Sequence, residues 1–206
     1  MSVALDAEKF YSDDKYFAKN LITIQDRNSQ SQYFTYNPAQ DLLNQNLTGR
    51  DLVVKAGQLG ITTYFLARAF KRALTHPGFT NVIVAHTEDL TKRLLSKVNY
   101  IYNQFPEVIE LQMPDGSVIP TEKPIMKKDS EYLKSFEFPS LKINSVFYIG
   151  TARSYNFGRG EPINTFHGSE IAFWPDPEHI LLPTLQRVPI NSGEVYLEST
   201  PNGEGG

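Results

Sequence analysis

The stretch from residue 52 to 73, LVVKAGQLGITTYFLARAFKRA, constrains the fold of this chain more than any other part of it. An apolar run at 52–54 predicts a buried strand. Glycines at Gly57 and Gly60 follow, then Thr62 and Thr63, then a helical pattern carrying Phe65, Leu66, Ala69, Phe70 and Ala73. Strand, glycine loop, hydroxyl pair and helix is the layout of a phosphate-binding loop. Its glycines let backbone N–H groups close on a polyphosphate, and the helix N-terminus adds partial positive charge. A threonine at the helix start can meet Mg2+. The usual G-x-x-x-x-G-K-[ST] is broken, because Ile61 stands where the lysine belongs; the nearest cation is Lys55, at the strand end. Taken alone, the same pattern also describes an ordinary tight connection.

The flanking sequence repeats the alternation. Residues 1–32 are polar and mixed, and read as an N-terminal arm or linker with a short helix around 7–17, its aromatics docking the arm on a domain spanning 33–206. Pro38 suits a helix start, with Asn37 as N-cap and Leu42, Leu43 and Leu47 on the apolar side. Residues 81–85, NVIVA, predict a second buried strand. Thr87 can cap the next helix, with Glu88 and Asp89 in its first turn and Leu90, Leu94, Leu95, Val98 and Ile101 as its stripe. Residues 107–135 are rich in turn signals and read as an excursion. Residues 136–151 predict two neighbouring strands joined near Asn144, 163–166 a further strand, 176–186 a helix, and 194–197 a last strand. Alternating strands and helices with buried runs imply an α/β fold, a mostly parallel sheet flanked by helices on both faces. Ligands of such sheets collect beyond the carboxyl ends of the strands, where Lys55, Glu170, Ser199 and Thr200 all fall.

Composition removes several function classes. With no cysteine among 206 residues, disulfides and thiolate metal sites are excluded, and a net charge of −3 gives no overall basic footprint for nucleic acid. No apolar run reaches the roughly 18–20 residues of a membrane span, and the N-terminus lacks the order of a signal peptide. His76, His86 and His179 show no ligand spacing. His167 and Trp174 read as structural.

Three segments, KAGQLGITT (55–63), HGSEIAFW (167–174) and ESTPNG (198–203), together resemble the ATPase domain of tailed-phage terminase large subunits, the DNA-packaging motor. The resemblance covers about residues 33–206 and implies a P-loop ATPase of ASCE type, with the catalytic glutamate on the strand beside the loop-bearing one. It implies ATP and Mg2+ as cofactors and hydrolysis that drives double-stranded DNA into a procapsid. It makes Lys55 the phosphate lysine of a deviant Walker A loop built from Gly57, Gln58, Gly60 and Ile61. Thr62 becomes a Mg2+ ligand and Thr63 a support for the loop. Glu170 becomes the catalytic carboxylate. Ser169 stands where the family has a metal-supporting Asp, and Gly57 where many members carry Arg. Gln40 matches the adenine-reading glutamine, and Ser199 and Thr200 match the coupling motif. Arg159, and after it Arg153, is the candidate finger acting across subunits.

The implied partners are the portal protein, the small terminase subunit and further copies in a ring. The implied location is the host cytoplasm, without a membrane. The family continues into a metal-dependent nuclease domain; this chain ends three residues after Gly203, so no nuclease activity is expected of it. Two other readings stay open: a weakly catalytic module that docks on portal, small subunit or DNA, and another P-loop enzyme such as a helicase.

Overall fold

From Thr80 to Ala85 every residue is buried, and successive side chains enter two different cores. Ile83 and Ala85 join one apolar cluster, Val82 and Val84 the other. That two-residue period, apolar on both sides, is the pattern of a strand covered on both faces. The computed structural model describes residues 4–26, 28–153 and 161–203.

In chain order the elements are β1 (Leu5–Asp6), α1 (Ala7–Ser12), α2 (Asp14–Leu21), β2 (Thr23–Gln25), β3 (Ser31–Tyr33), α3 (Pro38–Asn46), β4 (Arg50–Val54) and α4 (Ile61–Thr75). There follow β5 (Thr80–Ala85), α5 (Glu88–Gln104), β6 (Val108–Gln112), β7 (Val118–Glu122), β8 (Ile125–Asp129), β9 (Leu133–Phe138) and β10 (Ile143–Thr151). The chain continues with β11 (Thr165–Ser169), a 3₁₀ turn (Ile171–Phe173), α6 (Pro177–Leu185) and β12 (Glu194–Ser199). A seven-stranded sheet runs β4-β12-β11-β5-β10-β9-β8. Its first five strands are parallel, and β9 and β8 add an antiparallel end.

Helix α4 is the centre of one core. Tyr64, Phe65, Leu66, Ala69, Phe70 and Ala73 are all buried, so it packs on nearly every side rather than along one stripe. Phe70 meets Phe105 and Phe136 edge-on, and Phe17 stacks on Phe105 with ring centroids 5.9 Å apart. On the other face, Phe166 and Val195 pack against Trp174, Ile180 and Val188. The expected caps are present: Thr87 accepts from Leu90 N at 3.2 Å, and Asn37 and Gln40 form a reciprocal capping box with Pro38 in the first turn. Among the described residues no helix is long and apolar enough to cross a membrane.

Several expectations change. Strand β4, predicted to be buried, is the edge of the sheet, and Leu52 and Val54 are 68% and 73% exposed. The excursion at 107–135 contains β6, β7 and β8. Their outward faces are exposed, so their alternation is short and mixed with turn residues. Residues 143–151 form one strand, and the turn before it lies at 139–142, with Lys142 at φ 57°. Residues 1–32, expected as an arm or linker, contribute Ala7, Phe10, Phe17, Ala18, Leu21 and Ile22 to the main core, and β1 pairs with β6. Asp14 anchors this segment through ion pairs to Arg68, to Lys71 (2.8 Å) and to Arg72 (3.5 Å) of α4.

Candidate active site

The loop between β4 and α4 is set by its backbone and by the start of α3. Gly60 precedes α4 at φ 72°, and no side chain caps that helix end, so its first N–H groups face the loop. Gln40 Nε2 donates to Gly60 O at 2.9 Å, and Asn37 Nδ2 donates to Leu59 O at 3.0 Å. A Cβ on Gly60 would lie 2.7 Å from Gln40 Nε2, so glycine is required there for both its dihedral and its space. Gln40, expected to read adenine, is buried and clamps the loop: its Oε1 accepts from Asn37 N at 3.0 Å while its amide nitrogen holds Gly60 O. Gln58 adopts φ 63°, and a Cβ at Gly57 would meet nothing within 4 Å.

At the carboxyl edge of the sheet one lysine faces two carboxylates. Lys55 Nζ lies 2.6 Å from Glu170 Oε1 and 3.0 Å from Glu198 Oε2. Glu170, itself in the left-handed region at φ 56°, accepts on Oε2 from Thr200 N (3.0 Å) and Thr200 Oγ1 (2.8 Å). Ser199 Oγ accepts from Ala172 N at 3.2 Å, and Asn202 Nδ2 donates to Ala172 O at 3.0 Å. The 198–203 segment is therefore stitched to the turn that carries Glu170. Glu198 is fully buried and accepts from Thr62 Oγ1 (2.7 Å) and Ser169 Oγ (2.6 Å), with His167 Nε2 at 3.5 Å.

These contacts set the charges. Burial works to raise the Glu170 carboxyl, but the hydrogen bonds from Lys55 and Thr200 and the Lys55 charge hold it below the usual range. Burial likewise opposes ionisation of Glu198. The neighbouring His167, with the hydroxyls of Ser169 and Thr62, outweighs it and holds Glu198 down to about 2. Lys55 is pulled down by burial and raised further by Glu170 and Glu198, so it stays an ammonium.

The structure thus gathers Lys55, Thr62, Ser169, Glu170, Ser199 and Thr200, which the sequence pointed to, around one point. Ile61 is 3% exposed and belongs to the core, so a cation at that position would have to leave it. Thr63, expected to support the loop, accepts instead from Lys97 Nζ of α5 at 2.8 Å. Glu170 is not on the strand beside β4: β12 lies between β4 and β11. Arg159 lies outside the described residues, and Arg153 is exposed just past the carboxyl end of β10. Glu198 was not singled out as a site residue, although a glutamate at the end of the apolar run 195–197 in β12 is a visible signal.

No family model and no curated protein matches the chain. Solved structures do. The large terminase ATPase domain of Thermus phage P74-26 superposes with a TM-score of 0.58 at 19% identity, over 83% of this chain and 66% of that one. The large terminase of bacteriophage HK97 gives 0.64 at 10% identity, over 90% of this chain. This chain has the fold of phage large terminase ATPase domains. A third terminase, from the thermophilic bacteriophage D6E and solved in complex with ADP, gives 0.50 at 10% identity over 78% of this chain. This chain spans about two thirds of the Thermus phage domain and 36% of the HK97 and D6E terminases. The likeness accounts for the helix-covered parallel sheet.

Proposed function

We propose that this chain is the ATP-hydrolysing domain of a phage DNA-packaging motor. One observation carries the reading: Lys55, Glu170 and the Ser199–Thr200 segment converge beyond the strand ends, over a glycine loop whose helix N-terminus has no side-chain cap. That arrangement offers a cation and backbone N–H groups to a triphosphate, and a carboxylate to the attacking water. Beside it, an open groove of about 630 Å³ runs between α3 and β4, lined by Leu42, Leu43, Leu52, Val54 and Ala56, with room for a nucleoside.

The residues present suit Mg2+ brought in with ATP. Among the described residues no cluster of three His, Asp or Glu forms a preformed metal cage. Magnesium commonly takes most of its ligands from phosphates and water. Thr62, with Ser169 behind it, would hold the ion, whose chemistry is to neutralise charge on the phosphates. Lys55 draws the phosphates in and so leaves Glu170, which Thr200 still orients, free to accept a proton from water. Thr200 ties Glu170 to the 198–203 segment, a direct path from the reacting group to the coupling motif. The finger arginine, Arg159 or Arg153, comes from a neighbouring copy. Double-stranded DNA, portal and small terminase subunit are the partners of the assembled motor.

A second reading has its own support: Lys55 is closed onto both carboxylates, as in a docking module that hydrolyses little. Calorimetry with ATP and Mg2+, then turnover of Glu170→Gln, separates the two. Binding with turnover that disappears in the variant is expected. No heat and no thermal shift would favour the docking module, and a variant as fast as wild type would refute Glu170 as the base.

A further inference from the structure

Ser169 brings no charge to the position where the proposed site calls for a metal-supporting carboxylate, yet a carboxylate is present. Strands β11 and β12 pair so that Ser169 lies opposite Glu198. Paired residues on parallel neighbours project to the same face of a sheet. Glu198 therefore covers the same spot from the next strand, and from the side nearer β4.

Its side chain is wholly buried, and one oxygen, Oε1, accepts from both Ser169 Oγ (2.6 Å) and Thr62 Oγ1 (2.7 Å). The other oxygen, Oε2, lies 3.0 Å from Lys55 Nζ but lacks a well-aligned hydrogen-bond donor. Keeping an ionised carboxylate out of water costs several kcal/mol before compensation, so a wholly buried one calls for a role beyond packing. A buried carboxylate with one oxygen on the hydroxyl that opens α4 and the other facing the Lys55 ammonium, the cation that turns to the phosphates in the proposed site, has the form of a cation support.

We infer that Glu198 is that support, transposed from β11 to β12. It is a positioning residue that fixes Thr62 and holds the water shell of the divalent ion arriving with the nucleotide, while Ser169 orients Glu198. This rests on the nucleotide site proposed above.

The test titrates a fluorescent ATP analogue against the whole chain, in Mg2+ and in EDTA, for wild type, Glu198→Gln, and Glu198→Gln combined with Ser169→Asp. The Mg2+ enhancement of affinity in Glu198→Gln should fall roughly 10–100-fold, the loss usual for a group behind a metal ligand. Affinity in EDTA should not fall, because a negative charge facing the phosphates has gone. The double variant, with its carboxylate back on β11, should regain the enhancement. An unchanged enhancement in Glu198→Gln overturns the inference. So does a double variant that melts like wild type but regains nothing. Wild type that binds no ATP in either condition overturns the nucleotide site itself, and this inference with it. Should Glu198→Gln not fold, wild-type crystals with ADP and Mn2+ decide: anomalous density beside Thr62 and Glu198 supports the inference, and density seated on Glu170 refutes it.

Discussion

Replacing Asp14 by Ala tests whether the first helices belong to the ATPase-like fold or merely lean on it. Asp14, on α2, is 8% exposed and pairs with Arg68, Lys71 and Arg72 of α4. Its loss leaves three cations facing Glu194, which lies 2.8 Å from Arg68 and 3.4 Å from Arg72. Removing one partner of a buried ion pair costs about 3–5 kcal/mol. The lower end applies, because burial, Arg72 and Arg68 already push the Lys71 ammonium down to about 7, so this lysine can shed its proton instead of remaining an unpaired charge. For a chain of this size about 3 kcal/mol lowers Tm by roughly 6–12 °C. Calorimetric melting at pH 7.5 measures it. Lys15→Ala serves as comparator: it breaks an exposed pair with Asp41 (side chains 45% and 30% exposed) and should cost less than about 1 kcal/mol. If Asp14→Ala melts within 2 °C of Lys15→Ala, the network does not anchor the segment and the reasoning is wrong.

Three further outcomes follow from the same contacts. Gln40→Ala leaves Gly60 O and Asn37 N without their partner, costing about 1–3 kcal/mol in urea unfolding; as a clamp and not a base reader, it should weaken ATP and GTP binding by the same factor. Gly57→Arg meets open space at an ordinary φ and should tighten ATP binding about threefold to tenfold by titration, because it adds a cation beside the proposed phosphate site. Lys71 has a folded pKa lowered from 10.5 to about 7, facing Asp14 on α2, Arg68 and Arg72 on α4, Glu194 on β12 and nearby Asp13. The unfolded chain therefore binds more protons between those values, and unfolding free energy should rise with pH across that window, by at most about 1.4 kcal/mol per unit. Lys71→Met should flatten the slope in urea titrations at pH 7, 8 and 9.

Elements whose signal is local were legible. The helix carrying Phe65 to Ala73 announces itself by its apolar period, and the one from Glu88 by Thr87; the structure gives α4 and α5 at those places. That Lys55, Glu170, Ser199 and Thr200 would lie at one edge of the sheet was legible because each follows a strand-like run. What escaped depended on pairing across the chain. That β4 is an edge cannot be read from its own apolar residues, which resemble those of a buried strand. Glu198 and Ser169 act together only because two strands 29 residues apart lie in register. Gln40 matched a ligand-reading position by sequence context, while its partner, Gly60 O, is 20 residues away. The excursion hid β7 and β8 because strands exposed along nearly their whole length lack an apolar face to set their period, and β6 because its alternation, with Ile109 and Leu111 buried, spans only five residues amid turn signals.

The edge position of β4 has a mechanical consequence. Within the main sheet it is hydrogen-bonded on one flank, to β12, and the pairing extends to Lys55 N donating to Ser199 O at 3.0 Å. Among the described residues no second strand of this sheet flanks it, as none flanks β8 at the opposite edge, whereas the five strands between are paired on both sides. The base of the β4–α4 loop and the segment that holds Glu170 are thus two ends of one short linkage. A push on Ser199 and Thr200 reaches Lys55 through a single backbone bond, while Gln40 pins the far end of the loop to α3. The two segments are therefore joined by main-chain pairing at the sheet edge, so a displacement of one changes the hydrogen bonding of the other.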